Sequence, residues 1–248
     1  MDMLPALLWG LLAGSSLLVG AALGWFALPS ARITAAVMAF GSGVLVSAIA
    51  FELMDEALHT GGLLPSVTGF LAGAVAFTVG TLMLAARGAR HRKRSAGVVG
   101  AGGAAALAIA LGSVFDGIPE SMVIGLSLLD GSSVSLPIVA AIFLSNVPEG
   151  MSSAVGMKRA GMSKTYVFGL WSGIALLCGM GSLAGYALFD TAPVEYVAVA
   201  QGVAAGAMLA MIADTMIPEA FDGTHNASGL ITALGFVTAF ILSHTLGG

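Results

Sequence analysis

Long apolar segments, separated by short polar turns, dominate the chain. A membrane-crossing helix needs about 20 mostly apolar residues, and eight segments reach that length. The predicted helices are 4–28, 33–58, 63–86, 102–129, 136–157, 165–189, 197–221 and 229–246. A basic loop, 87–101, is the longest hydrophilic stretch. The pattern predicts an all-α membrane protein, one domain over residues 1–248 built as a bundle of eight transmembrane helices.

The composition indicates that lipid is the main solvent of this chain. Of its 248 residues, 58% are hydrophobic and only 9% are charged, which is too little polar surface for a soluble domain of this length. One cysteine, Cys178, excludes an internal disulfide and a cysteine-based metal cluster. Nucleic-acid binding has no basic face to rest on. We expect a multi-pass protein of the cell membrane, with the lipid bilayer as a partner and without a cofactor.

The basic residues fall into alternate loops. All nine lie after the first, third and fifth predicted helices, and the loops after the second, fourth and sixth hold none. They are Arg32, then Arg87, Arg90, Arg92, Lys93 and Arg94, and finally Lys158, Arg159 and Lys164. Because basic loops remain on the cytoplasmic side of a membrane, the pattern predicts that both termini lie outside.

A short internal echo suggests that the two ends of the chain are related. Residues 53–58 read Leu-Met-Asp-Glu-Ala-Leu, and residues 216–221 read Met-Ile-Pro-Glu-Ala-Phe. In the predicted topology these segments run in opposite directions, which is the plan of transporters built from inverted repeats. The echo predicts a 3+2+3 arrangement, with the fourth and fifth helices at its centre.

Glycines recur four residues apart along the predicted helices. Such small-residue pairs allow helix backbones to approach closely in lipid. The pairs are Gly10/Gly14, Gly20/Gly24, Gly69/Gly73, Gly169/Gly173, Gly181/Gly185 and Gly202/Gly206. They predict close helix packing and do not bear on the substrate.

Two segments with a Pro-Glu pair carry the most deeply placed acids. One reads Asp-Gly-Ile-Pro-Glu from Asp116 to Glu120, and the other reads Ser-Asn-Val-Pro-Glu-Gly from Ser145 to Gly150. Residues four apart share a helix face, so Asp116 lies beside Glu120 and Ser145 lies beside Glu149. Each proline also leaves the carbonyl four positions earlier without its helical donor. The two segments therefore predict a nest of oxygen acceptors.

These acids must be neutralised within the membrane. Asp116, Glu120 and Glu149 would together cost on the order of 8–10 kcal/mol if they faced lipid as charged groups. No Lys or Arg lies at their predicted depth, so either protonation or a bound cation must neutralise them. A divalent ion would cancel two carboxylates and accept Asn146 and the freed carbonyls as further oxygen ligands, with Ser145 as a weaker one. The alternative is a set of protonated acids that hydrogen-bond the helices together.

Further acids lie toward the ends of the predicted helices. One group near the outer end of the second helix suits either an ion entrance or a solvated interfacial role: Glu52, Asp55, Glu56 and His59. In the inner half of the seventh helix, Asp214 and Glu219 are candidates for an exit step, beside the carbonyl that Pro218 frees.

In these motifs the chain resembles the ZIP (Zrt/Irt-like) metal transporters. The family carries His-Asn-x-Pro-Glu in its fourth helix and His-(Asn/Asp)-x-Pro-Glu-Gly in its fifth, matched here by the segments ending at Glu120 and Gly150. Its Pro-Glu-Ala in the seventh helix matches 218–220. The resemblance covers the whole length. It implies eight helices, transport of zinc, iron, manganese or related divalent ions toward the cytoplasm, and a homodimer.

The chain departs from the family at the metal ligands. Asp116 and Ser145 stand where the family has its signature histidines, Gly117 replaces the first Asn, and the sixth predicted helix holds no acid. Oxygen ligands without imidazole suit harder ions such as manganese or magnesium. The family's site holds two metal ions, and the loss of these ligands predicts one divalent ion here, held by Asp116, Glu120 and Glu149. The choice among Zn, Mn, Fe and Mg stays open.

Other interpretations of the sequence stay open. The substitutions also suit a proton-coupled carrier of another solute, or an inactive relative of the family. An intramembrane hydrolase is less favoured, because no serine–histidine pair at depth and no His-Glu-x-x-His occurs in the sequence. We therefore expect a transporter rather than an enzyme.

Overall fold

Helices make up nearly all of the structure, a computed structural model that describes residues 3–86, 102–129 and 134–246. No strand occurs within these ranges. The α-helices are α1 (Leu4–Ala22), α2 (Ala31–Ala48), α3 (Met54–Gly61), α4 (Leu63–Ala86), α5 (Gly102–Leu126), α6 (Leu136–Arg159), α7 (Lys164–Phe189), α8 (Val194–Met211), α9 (Ile217–Thr224) and α10 (Ser228–Leu246). The predicted all-α class is confirmed, and the predicted loop 87–101 lies outside the described residues.

Five-residue π-helical segments interrupt three of the long helices. Leu23–Ala27 ends α1, Ile49–Leu53 joins α2 to α3, and Ile212–Met216 joins α8 to α9. A π-turn inserts an extra residue into the helix and often occurs at functional sites. The predicted second helix, 33–58, therefore lies in a continuous helical segment, Ala31–Gly61, with a π-turn inside it.

Six helices of the described chain are long and apolar enough to cross a membrane. They are Leu4–Ala27, Ala31–Gly61, Leu63–Met83, Leu136–Arg159, Lys164–Phe189 and Val194–Thr245. The last has 52 residues and, at about 1.5 Å per residue, would exceed a hydrocarbon core of about 30 Å more than twofold if it were straight. It is interrupted at His225, where φ is 47°. The multi-pass membrane character is thus supported, while the predicted eight-helix arrangement stays a prediction.

The helices differ in how deeply they lie within the bundle. In the most apolar window of α6, 78% of the residues are buried, against 22% in that of α4. Large apolar side chains on the outer helices face outward, and Leu64 is 74% exposed. Apolar surface on this scale requires a lipid environment. Helix α6, which carries Glu149, is therefore central, and α4 is peripheral.

Close backbone contacts between helices rely on glycine. Helix α1 packs on α6 and α7, α5 on α7, α4 on α8, and α2 on α10. A Cβ at Gly20 would collide with the carbonyl of Val147, and one at Gly73 with the carbonyl of Val203. Five of the six predicted glycine pairs face a neighbouring helix in this way. The prediction is wrong for the sixth pair, Gly169/Gly173, which has no atom within 4 Å of either Cβ position because that face of α7 is exposed.

Candidate functional site

The two Pro-Glu segments lie in the interior of the bundle. Helices α5 and α6 both continue through their prolines, and Glu120 and Glu149 are 2% and 6% exposed. Ser145 and Asn146 are also buried. About 20 Å of helical rise separates Leu136, the first residue of α6, from Glu149, so this carboxylate lies near the middle of its helix.

Helix α1 brings the two segments to nearly the same depth. A Cβ at Gly14 would lie 2.8 Å from Cys178 Cβ on α7, and a Cβ at Gly117 would lie 3.3 Å from the Cys178 sulfur. Leu17, only about 4.5 Å further along α1, has its carbonyl against Gly150. The turn of α5 before Glu120 and the turn of α6 that holds Glu149 therefore lie within about one helical turn of each other in depth.

Cys178 lies on α7 where this helix contacts α1 and α5. Its thiol is within hydrogen-bonding contact of Ser121 and within electrostatic range of both Glu120 and Glu149. A lone cysteine in an apolar helix excludes disulfides and thiol clusters but gives no sign in the sequence of its place in the bundle. In the structure Cys178 lies on the face of α7 that contacts Gly14 of α1 and Gly117 of α5.

Serine hydroxyls near the carboxylates donate to the helix backbone. Ser145 Oγ donates to the carbonyl of Ile142 at 3.0 Å, and Ser121 Oγ donates to the carbonyl of Gly117. The hydroxyl protons are thereby committed, and the oxygen lone pairs remain available as acceptors. The Ser145 oxygen therefore keeps its acceptor capacity, and its role as a ligand stays a prediction.

The described residues do not form a ready three-ligand metal centre. Among them no group of three or more His, Cys, Asp and Glu side chains stands close enough to hold a metal ion. The side chain of Asp116, the third predicted acid, lies outside the described part of the structure. The site as described consists of two buried carboxylates with neutral oxygen groups, Ser145 and Asn146, on the same helix as Glu149.

The predicted entrance residues separate into two kinds of environment. Asp55 and His59 lie on one exposed face, with 3.5 Å between Asp55 Oδ2 and His59 Nδ1 and side-chain exposures of 60% and 75%. Glu52 is half-buried and accepts hydrogen bonds from Ser243 Oγ and, at 3.4 Å, from Ser135 Oγ. Glu56 is half-buried. Glu52 therefore joins α10 to the start of α6, whereas Asp55 and His59 are solvated.

The predicted exit residues also differ from one another. Asp214, in the π-turn Ile212–Met216, is exposed. Glu219 is half-buried and accepts a hydrogen bond from Ser152 Oγ on α6. Ser152 lies one turn beyond Glu149 and is 1% exposed. Glu219 thus lies beside the continuation of the central helix, and Asp214 does not.

A polar stripe on α6 links these positions. Ser145, Glu149, Ser152 and Ser153 recur at helical spacing and are all buried. Residues at such spacing share one face of a helix. The stripe leads from the two Pro-Glu segments to Glu219. Only Ser145 and Glu149 of this stripe were predicted from the sequence, because serines are common at helix contacts in membranes.

Comparison with known proteins leaves the resemblance as an expectation from the motifs. No protein-family model matches the chain, and no curated protein matches it.

Proposed function

We propose that this chain is a ZIP-like transporter that moves a divalent metal ion across the membrane through a site between α5 and α6. The observation that carries the proposal is the burial of Glu120 and Glu149 at nearly one depth, within electrostatic range of the same thiol. Two ionised carboxylates brought together away from water repel each other and lose their hydration. A divalent ion removes both penalties, because it neutralises two charges and takes oxygen ligands.

The proposed ligands are the carboxylates of Glu120 and Glu149, assisted by Asn146 and Ser145. Asp116 joins them in the proposal as the residue at the family's first histidine position. The described bases lie at helix ends, as Lys158 and Arg159 do on α6, about 14 Å of helical rise or more from Glu149. A bound divalent ion would bring a positive charge to the depth of Glu149.

Reciprocal packing supports the proposed inverted repeats and the eight-helix 3+2+3 arrangement. Helix α4 packs on α8 and α10 on α2, while α3 packs on α8 and α9 on α2. The π-turns Ile49–Leu53 and Ile212–Met216 each end at the first residue of the six-residue sequence echo. The interruption at His225 supports separate seventh and eighth helices. A twofold exchange of the two ends of the chain is the geometry expected of a transporter of this type.

Hydrogen-bonded carboxylates at the two ends of α6 suit alternating access. Glu52 is held by Ser135, at the start of α6, and by Ser243, while Glu219 is held by Ser152 further along it. In the proposed mechanism, the Ser135–Glu52 bond connects α6 to the first repeat and the Ser152–Glu219 bond connects it to the second. The ion passes when one of these hydrogen bonds breaks while the other remains formed. The driving force for the cycle is a gradient of the ion itself or of protons.

The proposal is tested by uptake into proteoliposomes that contain the purified chain, with Zn²⁺, Mn²⁺, Fe²⁺ and Mg²⁺ supplied separately. Glu120→Gln and Glu149→Gln keep the side-chain size and remove the charge. We expect each to lower uptake by more than about tenfold, since even outer-shell changes at metal sites cost about 10–100-fold. Glu195→Gln, at an exposed acid of α8, is the matched control and should transport normally.

The same experiment separates the rival interpretations. Unchanged uptake in both variants would refute the assignment of the site. Solute movement that depends on a pH gradient and requires no divalent ion would favour a proton-coupled carrier instead.

A further inference from the structure

Lysine and aromatic side chains form a patch where the end of α1 meets α6 and α7. We define the lysine–aromatic patch as Trp25, Phe26, Lys158, Lys164 and Phe168. Trp25 and Phe26 belong to the π-turn that ends α1, Lys158 to the last turn of α6, and Lys164 and Phe168 to the first turns of α7. The patch lies at the end of α6 opposite Ser135 and so at the opposite end of the bundle from Glu52.

The two ammonium groups stand over the three rings. Lys158 Nζ donates to the Trp25 carbonyl at 2.6 Å and lies 5.2 Å from the centroid of that indole. Lys164 Nζ lies 4.7 Å from the Phe26 ring centroid and 5.9 Å from that of Phe168. Phe168 contacts Trp25 and Phe26, with centroid separations of 6.4 and 6.1 Å. The rings thus form one platform that holds both cations.

Local backbone geometry assembles this platform. Leu28, with φ of 44°, stops the helix after the π-turn, and Lys158 satisfies a carbonyl near that end, as basic side chains do at helix C-termini. Gly161, with φ of 79°, turns the chain between α6 and α7. Ser163 then caps α7 by accepting from Tyr166 N at 3.2 Å. The short turn places Lys158 and Lys164 on the same side.

Part of the patch is exposed, and its charged groups are all basic. Phe26 is 64% exposed, and Lys164 is also exposed. The sequence has no acid from residue 3 to 51 or from 150 to 189, so the helices that form the patch bring no carboxylate to it. The two ammonium groups of the patch therefore lie over apolar rings, and no acid belongs to the patch itself.

We propose that the lysine–aromatic patch binds the headgroup phosphate of an anionic phospholipid. Aromatic rings settle at the headgroup level of a bilayer, where the rings pack against glycerol and the upper acyl chains. Basic pockets between transmembrane helices attract anionic headgroups. An ammonium group over a ring can still donate hydrogen bonds on the side that points away from the ring. In the proposal, Lys158 and Lys164 bind the phosphate together from that side. The inference concerns lipid recognition and does not depend on the proposed transport.

Native mass spectrometry of the purified chain measures the binding directly. The probes are phosphatidylglycerol and phosphatidylcholine of the same acyl chains, with inorganic phosphate as a third ligand. We expect phosphatidylglycerol to bind most tightly and inorganic phosphate not to displace it. Lys164→Gln should weaken phosphatidylglycerol binding about fivefold, the equivalent of about 1 kcal/mol for one basic residue near an anionic surface.

Matched variants decide between this site and diffuse attraction. Arg32→Gln removes one exposed charge at the start of α2, outside the patch, and should bind phosphatidylglycerol as the unaltered chain does. Lys164→Arg should restore the affinity, and Phe168→Leu should lower it. Equal affinity for the two lipids, an equal loss in Arg32→Gln, or displacement by inorganic phosphate would each overturn the proposal. Because Lys164 has an exposed side chain at the beginning of α7, its substitution leaves the fold intact. The test therefore does not require a substitution at Lys158.

Discussion

Replacement of Gly150 by alanine tests the close contact between α1 and α6 beside the candidate site. A Cβ at Gly150 would collide with the carbonyl oxygen of Leu17 and lie 3.0 Å from its carbonyl carbon and 3.1 Å from its Cα. Carbon atoms at optimal separation lie about 3.5–4.0 Å apart. The obstacle is backbone, which has no rotamer to change, so the two helices must separate by about half an ångström or more.

The cost of this separation spreads along the helix pair. Gly20 faces Val147 and Gly24 faces Met151 across the same contact, so these contacts loosen as well. Overpacking a tight interior costs about 1–3 kcal/mol, and we expect Gly150→Ala to lower the stability by that amount. The folded-to-unfolded ratio should fall about 5- to 150-fold.

Gly169→Ala is the control with the opposite expected sign. Nothing lies within 4 Å of a Cβ at this exposed position in α7, and alanine favours an exposed helix by up to about 1 kcal/mol over glycine. Unfolding of both variants in one detergent, at one heating rate because such unfolding is often irreversible, gives the comparison. Equal midpoints for the two variants, or a Gly150→Ala protein as stable as the unaltered chain, would refute the packing argument.

Three smaller predictions concern the side chains around the site. Alkylation of Cys178 by a small thiol reagent should be slow and should slow further with the transported ion present, as measured by mass spectrometry; an unaffected rate would place the ion elsewhere. Ser152→Ala removes a hydrogen bond to Glu219 worth about 1 kcal/mol and should accelerate the alkylation of Cys178 about fivefold. An unchanged rate would show that this hydrogen bond does not restrict access to the site from the Glu219 end of the bundle. His59→Ala should change the free energy of unfolding by less than about 0.5 kcal/mol and leave uptake intact, because exposed pairs contribute little; a large loss of uptake would make His59 an entrance ligand.

The fold class was predictable because the dominant signals are local. A hydrophobic run of sufficient length must be helical in lipid, since every backbone group has to be bonded within the segment. The same reasoning applies to the burial of Glu120 and Glu149, which carry a penalty wherever they face hydrocarbon. Sequence therefore identified the all-helical class and pointed to these two residues.

Features that depend on contacts between distant helices were not predictable in the same way. The π-turn at Ile49–Leu53 contains an ordinary apolar sequence with one Glu. Glu52 accepts hydrogen bonds from Ser135 and Ser243, which lie far from it in the chain. The place of Cys178 at the contact of α7 with Gly14 and Gly117 depends on how α7 packs on α1 and α5, which no spacing within α7 reveals. The exposed pair Gly169/Gly173 shows the converse, a packing motif that no helix of the described chain covers.

The most direct test of the central claim is anomalous diffraction from crystals of the chain soaked in Mn²⁺, with data collected on both sides of the manganese absorption edge. We predict a peak between the carboxylates of Glu120 and Glu149, with oxygen ligands at about 2.0–2.6 Å as for hard divalent ions. A protein that takes up Mn²⁺ in proteoliposomes yet shows no peak there, or shows it only at another position, would contradict the proposal that these two carboxylates hold the ion.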